Sequence, residues 1–137
     1  MTGLTSNTTG RRLLLAIAAL IAVNVVAVFL AVDAGLTERG KAWGFDIMGF
    51  IPWPMVGLEL VLAWLAARNV RPPIGRVAAI VLSVICVISV LAGMFDGDMA
   101  SDSMTTGSFW CGVVMIVLQA GVGLLAVLRA GELRRAR

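Results

Sequence analysis

Four polar residues lie near the middle of the long apolar segments of this chain, and their types could do chemistry: Asn24, Glu59, Ser83 and Gln119. Glu59 is the strongest signal, because an ionisable side chain at the centre of a bilayer costs about 3 kcal/mol and is rare without a role. No basic residue lies at the same depth. We therefore expect a neutral Glu59 carboxyl group that forms a hydrogen bond with Asn24 or Gln119.

The residues around these four positions indicate that they face the interior of a helix bundle. Residues three or four apart share one face of a helix, and small residues on that face allow two helices to approach closely. Ala27 and Ala31 share a face with Asn24, Ala63 and Ala66 with Glu59, Ala79 and Cys86 with Ser83, and Gly112, Gly123 and Ala126 with Gln119. Counted from the cytoplasmic ends of the segments, the four polar residues lie within about one turn of each other. We predict an inward-facing polar layer, which is either a proton or cation site or a network that fixes helix register.

A proton-coupled or cation-binding role for Glu59 would be similar to that in the small multidrug transporters, which also have four short spans and one membrane glutamate. Their glutamate lies in the first span, where this chain has Asn24, so the resemblance does not extend to membership of that family. A transporter of this size requires oligomerisation. The pairs Ser108-x-x-x-Gly112 and Ala126-x-x-x-Ala130 would permit close packing of copies.

The last outer loop contains residue types that bind metals. Met94, Met99 and Met104 alternate with Asp96, Asp98 and Asp102, and Cys111 follows. Thioethers select Cu(I) and carboxylates suit Ca²⁺, but the spacing matches no established ligand pattern, and methionine is a common filler of irregular gaps. We predict no metal and no cofactor, with this loop as the one weak candidate site. Cys86 and Cys111 are expected to be free thiols because they lie at different depths.

Membrane helices must carry these residues. Of the 137 residues, 60% are hydrophobic and 14% are charged, and the mean hydropathy is +0.98. This composition excludes an ordinary soluble domain. Apolar segments near 13–32, 47–67, 74–94 and 109–128 each approach the length of about 20 residues that crosses a bilayer. We predict one all-α integral membrane domain over residues 1–137, a four-helix bundle with up-down topology.

The charges predict the orientation of this bundle, since basic flanks stay in the cytoplasm. With the amino terminus inside, Arg39 and Lys41 fall outside and nine of the eleven basic residues fall inside: Arg11, Arg12, Arg68, Arg71, Arg76, Arg129, Arg134, Arg135 and Arg137. Six acidic residues fall on the outer loops: Asp33, Glu38, Asp46, Asp96, Asp98 and Asp102. Both termini are therefore predicted to be cytoplasmic, with the arginines contacting anionic lipid and not nucleic acid. The first segment is too long for a signal peptide, so we expect a retained anchor.

The second segment allows two interpretations, because Pro52-Trp53-Pro54 interrupts its beginning. Either a helix runs from Ile47, or it begins only at Pro52 and leaves 43–51 as an interfacial or re-entrant segment. Aromatic residues are expected to anchor the outer side in the headgroup zone. They are Trp43, Phe45, Phe50, Trp53, Phe109 and Trp110.

Three functions follow from this architecture. The first is an accessory subunit of a larger membrane complex, because the chain has no sizeable soluble domain. The second is a minimal transporter or ion pathway centred on Glu59. The third, a membrane enzyme, is not expected, because the chain has no histidine and shows no nucleophile–base pair, metal-ligand motif or phosphate-binding loop. Ten arginines against one lysine suggest a bacterial genome and thus a plasma membrane.

Overall fold

The computed structural model describes residues 7–41, 43, 51–68, 72–95, 102 and 104–135. These residues form four helices: α1 (Thr8–Asp33), α2 (Trp53–Ala67), α3 (Pro72–Phe95) and α4 (Thr106–Arg135). No strand occurs within these ranges. The prediction of an all-α protein is confirmed for the described part of the chain.

Three of the helices, α1, α3 and α4, are long and apolar enough to cross a membrane. At about 1.5 Å per residue they are about 39, 36 and 45 Å long. The second helix, α2, has 15 residues and is about 22 Å long, which is less than the bilayer core of about 30 Å. By length and composition, the three long helices are compatible with a small membrane protein.

The prolines set the beginning of α2. Ile51 and Pro52 are not helical, and Pro52 is the N-cap residue, with Pro54 in the first turn. Proline suits this place because the first amides of a helix have no partner within it. Of the two interpretations of the second segment, the later helix start is therefore confirmed. Residues 44–50 lie outside the described residues.

Both ends of α1 are capped by polar or backbone groups. At its start, the Asn7 side chain accepts a hydrogen bond of 3.0 Å from the Gly10 amide. At its end, Gly35 has a φ of +70°, and the amides of Gly35 and Leu36 donate to the carbonyls of Val32 and Ala31. This is a Schellman motif, in which the left-handed residue is usually glycine because it lacks a Cβ atom.

Substitution of Gly35 by alanine is expected to destabilise the protein by about 1 kcal/mol, because an L residue is strained at this positive φ. The matched control is Gly40→Ala, since a Cβ atom at Gly40 meets nothing within 4 Å and its φ is ordinary. Thermal unfolding of both variants in detergent would measure the difference. Equal unfolding midpoints for the two variants would contradict the motif.

Each helix packs against its neighbours in sequence, and α4 also packs against α1. The contact between α3 and α4 is the most extensive, whereas α2 and α4 touch over only a short stretch. The small residues predicted to share a face with the polar residues are all buried: Ala27, Ala31, Ala63, Ala66, Ala79, Cys86, Gly112, Gly123 and Ala126. The predicted inward faces are therefore confirmed for α1, α2 and α4, whereas in α3 the small residues are buried and Ser83 is partly exposed.

Contacts between helix ends show which ends lie together. The Asn7 side chain before α1 donates to the carbonyl of Ala67 at the end of α2. Thr9 in α1 donates to Glu132 near the end of α4. Gly75 near the start of α3 lies beside Leu133 of α4. We call this end of the structure, where α1 and α3 begin and α2 and α4 end, the basal end.

The small-residue pairs of α4 are used inside the chain. Ser108, Gly112 and Ala126 are buried, and Ala130 is partly buried. These pairs therefore pack inside the chain, and close packing of copies through them stays a prediction. Both α1 and α3 of the same chain pack against α4.

Candidate functional site

Glu59 and Gln119 meet in the interior of the protein. Glu59 lies in the middle of α2 and Gln119 in the middle of α4, and their exposed fractions are 0% and 2%. Nε2 of Gln119 donates a hydrogen bond to Oε1 of Glu59. The same nitrogen lies 3.6 Å from Sγ of Cys86 in α3. Three helices thus contribute one polar side chain each to a small cluster, which we call the Glu59 cluster.

Two oxygen atoms of this cluster have no hydrogen-bond partner among the described residues. They are Oε2 of Glu59 and Oε1 of Gln119, and both are buried. Buried polar atoms in folded proteins are nearly always paired, and each exception needs a physical reason. The Glu59 cluster therefore holds unused hydrogen-bonding capacity in the interior of the protein.

The Glu59 cluster contains no positive charge among the described residues. The nearest buried cation along α4 is Arg129, ten residues beyond Gln119 and so about 15 Å away along the helix. Its guanidinium group is bonded to the Ala66 carbonyl and to Glu132. Glu59 is thus a buried carboxyl group without a neighbouring ion partner in the described chain.

Asn24 is also fully buried but lies apart from the Glu59 cluster. Its Nδ2 donates to the Ile51 carbonyl at 3.2 Å, and its Oδ1 has no partner in the described residues. The contact between Asn7 and Ala67 shows that these two residues lie at the same height. Measured from that height towards the opposite end of the structure, Asn24 is 17 residues away along α1 and Glu59 is 8 residues away along α2. At about 1.5 Å per residue, the two side chains differ in height by about 13 Å.

The expectation of a single polar layer is therefore wrong. The expected depth of Asn24 assumed that the first helix begins with the apolar segment at Leu13. In the structure α1 begins at Thr8, because Asn7 caps it. The five extra residues at the basal end raise Asn24 by more than one turn. Of the two partners predicted for Glu59, the structure brings Gln119 to it, and it places Asn24 against the backbone before α2.

Ser83 takes no part in the hydrogen bonds of the Glu59 cluster. It is partly exposed on α3, and its Oγ donates to the Ile80 carbonyl of the same helix at 2.9 Å. Serine commonly satisfies its hydroxyl group in this way inside a helix. The structure therefore gives Ser83 a hydrogen-bond partner within its own helix and not one of the two residues that it brings together.

Sequence reasoning missed a second polar cluster, which lies at the basal end. Arg129 is 6% exposed; its Nε donates to the Ala66 carbonyl at 3.0 Å, and its Nη1 lies 3.1 Å from Glu132. Because the last carbonyls of a helix have no partner within it, Arg129 and Asn7 together cap α2 through Ala66 and Ala67. The helical spacing 119, 122, 126, 129 places Arg129 on the inward face of α4 and could have revealed this role.

The half of the structure opposite the basal end contains stacked aromatic rings and a cleft. Trp43 stacks on Trp53 with ring centroids 5.2 Å apart, and Phe109 meets Trp110 edge to face. A cleft of about 630 Å³ beside the end of α1 is lined in part by Asp33, Arg39 and Trp43. Phe45 and Phe50 lie outside the described residues.

Half of the residues in the weak candidate metal loop can be placed. Met94 is 64% exposed at the end of α3, Asp102 is exposed and Met104 is partly exposed. Asp96, Asp98 and Met99 lie outside the described residues. Within the described ranges no three His, Cys, Asp or Glu residues come together as a metal-binding group, and both cysteines are free.

No family model, curated protein or solved structure matches this chain. Its function has to be inferred from the contacts between its own residues. The buried Glu59 cluster and the Arg129 cluster at the basal end are the two features from which to infer it.

Proposed function

We propose that this chain is a small multi-pass protein of a bacterial plasma membrane, and that it acts as a non-catalytic accessory subunit of a larger membrane complex. The observation that supports the proposal is the complete burial of Glu59, the one acidic side chain in the interior of the described helices. Its exposed fraction is 0%, so water does not reach it. Among the described residues, this ionisable group is enclosed by the protein and is not presented to a substrate in this state.

The outward surface also supports an accessory role. The side of α3 away from the core carries a row of exposed apolar side chains: Val77, Ile80, Val81, Val84, Val87, Ile88 and Leu91. The polar side chains at Asn24, Glu59 and Gln119 are buried. Such a unit can pack against lipid or other membrane helices with these three polar side chains shielded from hydrocarbon.

The contacts at the basal end support the proposed topology, an up-down bundle with both termini in the cytoplasm. The basal end contains the starts of α1 and α3 and the ends of α2 and α4. Seven described arginines belong to these helix ends: Arg11, Arg12, Arg68, Arg76, Arg129, Arg134 and Arg135. Basic flanks of short loops remain in the cytoplasm.

Native mass spectrometry of the protein extracted gently from its own membrane would test the accessory role. We expect a stoichiometric complex with a different membrane subunit. A tagged chain of unrelated sequence but similar size and span number is the control for adventitious lipid-mediated association. Recovery of the chain only as a monomer or homo-oligomer would contradict the proposal.

A transporter or ion pathway centred on Glu59 is the second candidate. It is favoured by the unpaired Oε2 of Glu59, because an ionisable residue inside a membrane protein often marks an ion or proton route. Liposomes containing the purified protein would test this candidate. Flux that is lost in Glu59→Gln, with intact folding, would favour transport over the accessory role, and absence of flux in the wild-type protein would exclude an autonomous pathway.

A further inference from the structure

We propose that Glu59 and Gln119 form a reciprocal acid–amide pair, which binds one proton in the interior and joins α2 to α4. A neutral carboxyl group has one donor and one acceptor, and so does the edge of a primary amide that presents the carbonyl oxygen and the N–H on the same side. The bond from Gln119 Nε2 to Glu59 Oε1 is one half of this pair. Oε2 of Glu59 and Oε1 of Gln119 are the two atoms left over.

A proton on Glu59 satisfies both leftover atoms at once. Without the proton, Oε2 of Glu59 and Oε1 of Gln119 are both acceptors and cannot bond to each other. With the proton, Oε2 becomes a donor and Gln119 Oε1 its acceptor, so every polar atom of the pair except the second amide hydrogen is used. That hydrogen can point towards the sulfur of Cys86, which lies 3.6 Å from the amide nitrogen.

The surroundings of Glu59 favour this neutral pair over an ion pair. The apolar core that contains Ala63 of α2 and Cys86 of α3 includes Leu13, Ile17 and Leu20 of α1. From α3 the titratable neighbour is the Cys86 thiol, and along α4 the nearest described charge is Arg129, about 15 Å from Gln119. Hydrogen bonds in such a dry environment are strong, and an unpaired charge there is costly.

The pair has a structural consequence for the helix arrangement. Since α2 and α4 touch over only a short stretch, the Glu59–Gln119 pair is a principal polar link between them. Loss of the proton would remove one of its two hydrogen bonds and leave a buried charge. The proton therefore holds α2 against α4, whether or not the chain has a partner subunit.

Infrared difference spectroscopy of the protein in liposomes at neutral pH tests this inference directly. We expect a band of a hydrogen-bonded, protonated carboxyl group that disappears in Glu59→Gln and moves to higher frequency in Gln119→Leu. Glu38→Gln is the control, because the Glu38 side chain is 77% exposed and its replacement should leave the band unchanged. A Glu59 signal in the carboxylate region, or a band unaffected by Gln119→Leu, would overturn the inference.

The double variant Glu59→Gln with Gln119→Glu provides a second test, because it exchanges acid and amide while keeping the pair. The carboxyl band that is lost in Glu59→Gln should return in the double variant at nearly the wild-type frequency. The thermal unfolding midpoint should also stay within about 3 °C of the wild-type value, which corresponds to roughly 1 kcal/mol for a chain of this size. A double variant that does not fold, or that lacks the band, would contradict a reciprocal pair.

Discussion

Replacement of Gly123 by valine should destabilise the protein by about 3 kcal/mol, the largest effect that we expect from a single substitution in the α3–α4 contact. A Cβ atom at Gly123 would lie 3.0 Å from Cβ of Cys86 and 4.0 Å from the Ser83 carbonyl oxygen. Both atoms are fixed to the α3 backbone and cannot rotate away, so the two helices would have to separate. Denaturant unfolding in detergent micelles would measure the loss.

Gly121→Val is the matched control for this prediction. A Cβ atom at Gly121 meets nothing within 4 Å, so this variant has the same change in helix propensity without the clash. A rescue experiment is equally specific. Gly123→Ala adds only the Cβ atom and should also lower the stability. Cys86→Gly should partly restore the stability of that variant, whereas Cys86→Ala should not, because alanine keeps the Cβ atom. Equal stabilities of the two valine variants would refute the close approach of α3 to α4.

Replacement of Arg129 by alanine should destabilise the basal end by about 2 kcal/mol, in the range for a hydrogen bond to a charged group. Arg129 is almost fully buried and donates to the Ala66 carbonyl. Without the Arg129 side chain, the Ala66 carbonyl at the end of α2 loses its hydrogen-bond donor from α4. We expect a lower unfolding midpoint and faster hydrogen exchange of the amides in the last turn of α2.

Arg134→Ala is the control for Arg129→Ala, because it removes the same charge from an exposed position of the same helix. Glu132→Gln should have a small effect, since the Glu132 side chain is 47% exposed and ion pairs at such positions contribute little. If Arg134→Ala and Arg129→Ala were equally destabilising, net charge and not the capping contact would explain the loss.

The periodicity of the sequence determined the helices and their inward faces. Small residues recur at three- and four-residue spacing around Asn24, Glu59 and Gln119, and these small residues are buried in the structure. This follows from local geometry, because the spacing of a helix fixes which residues share a face. The sequence also indicated that prolines 52 and 54 could delay the start of α2, since proline fits the first turn of a helix and disrupts its interior.

Heights and pairings between helices were decided by the tertiary structure. The apolar segment of α1 starts at Leu13, but the Asn7 cap starts the helix at Thr8, and hydropathy does not detect a cap. As a result Asn24 reaches Ile51 and not Glu59. From the sequence, Arg129 is one of the basic residues that flank an apolar segment. In the structure it donates to a carbonyl at the end of α2, inside the protein. A side chain's partner depends on which helix ends meet. Residues 27 to 63 positions apart determine these contacts through packing, which no local pattern contains.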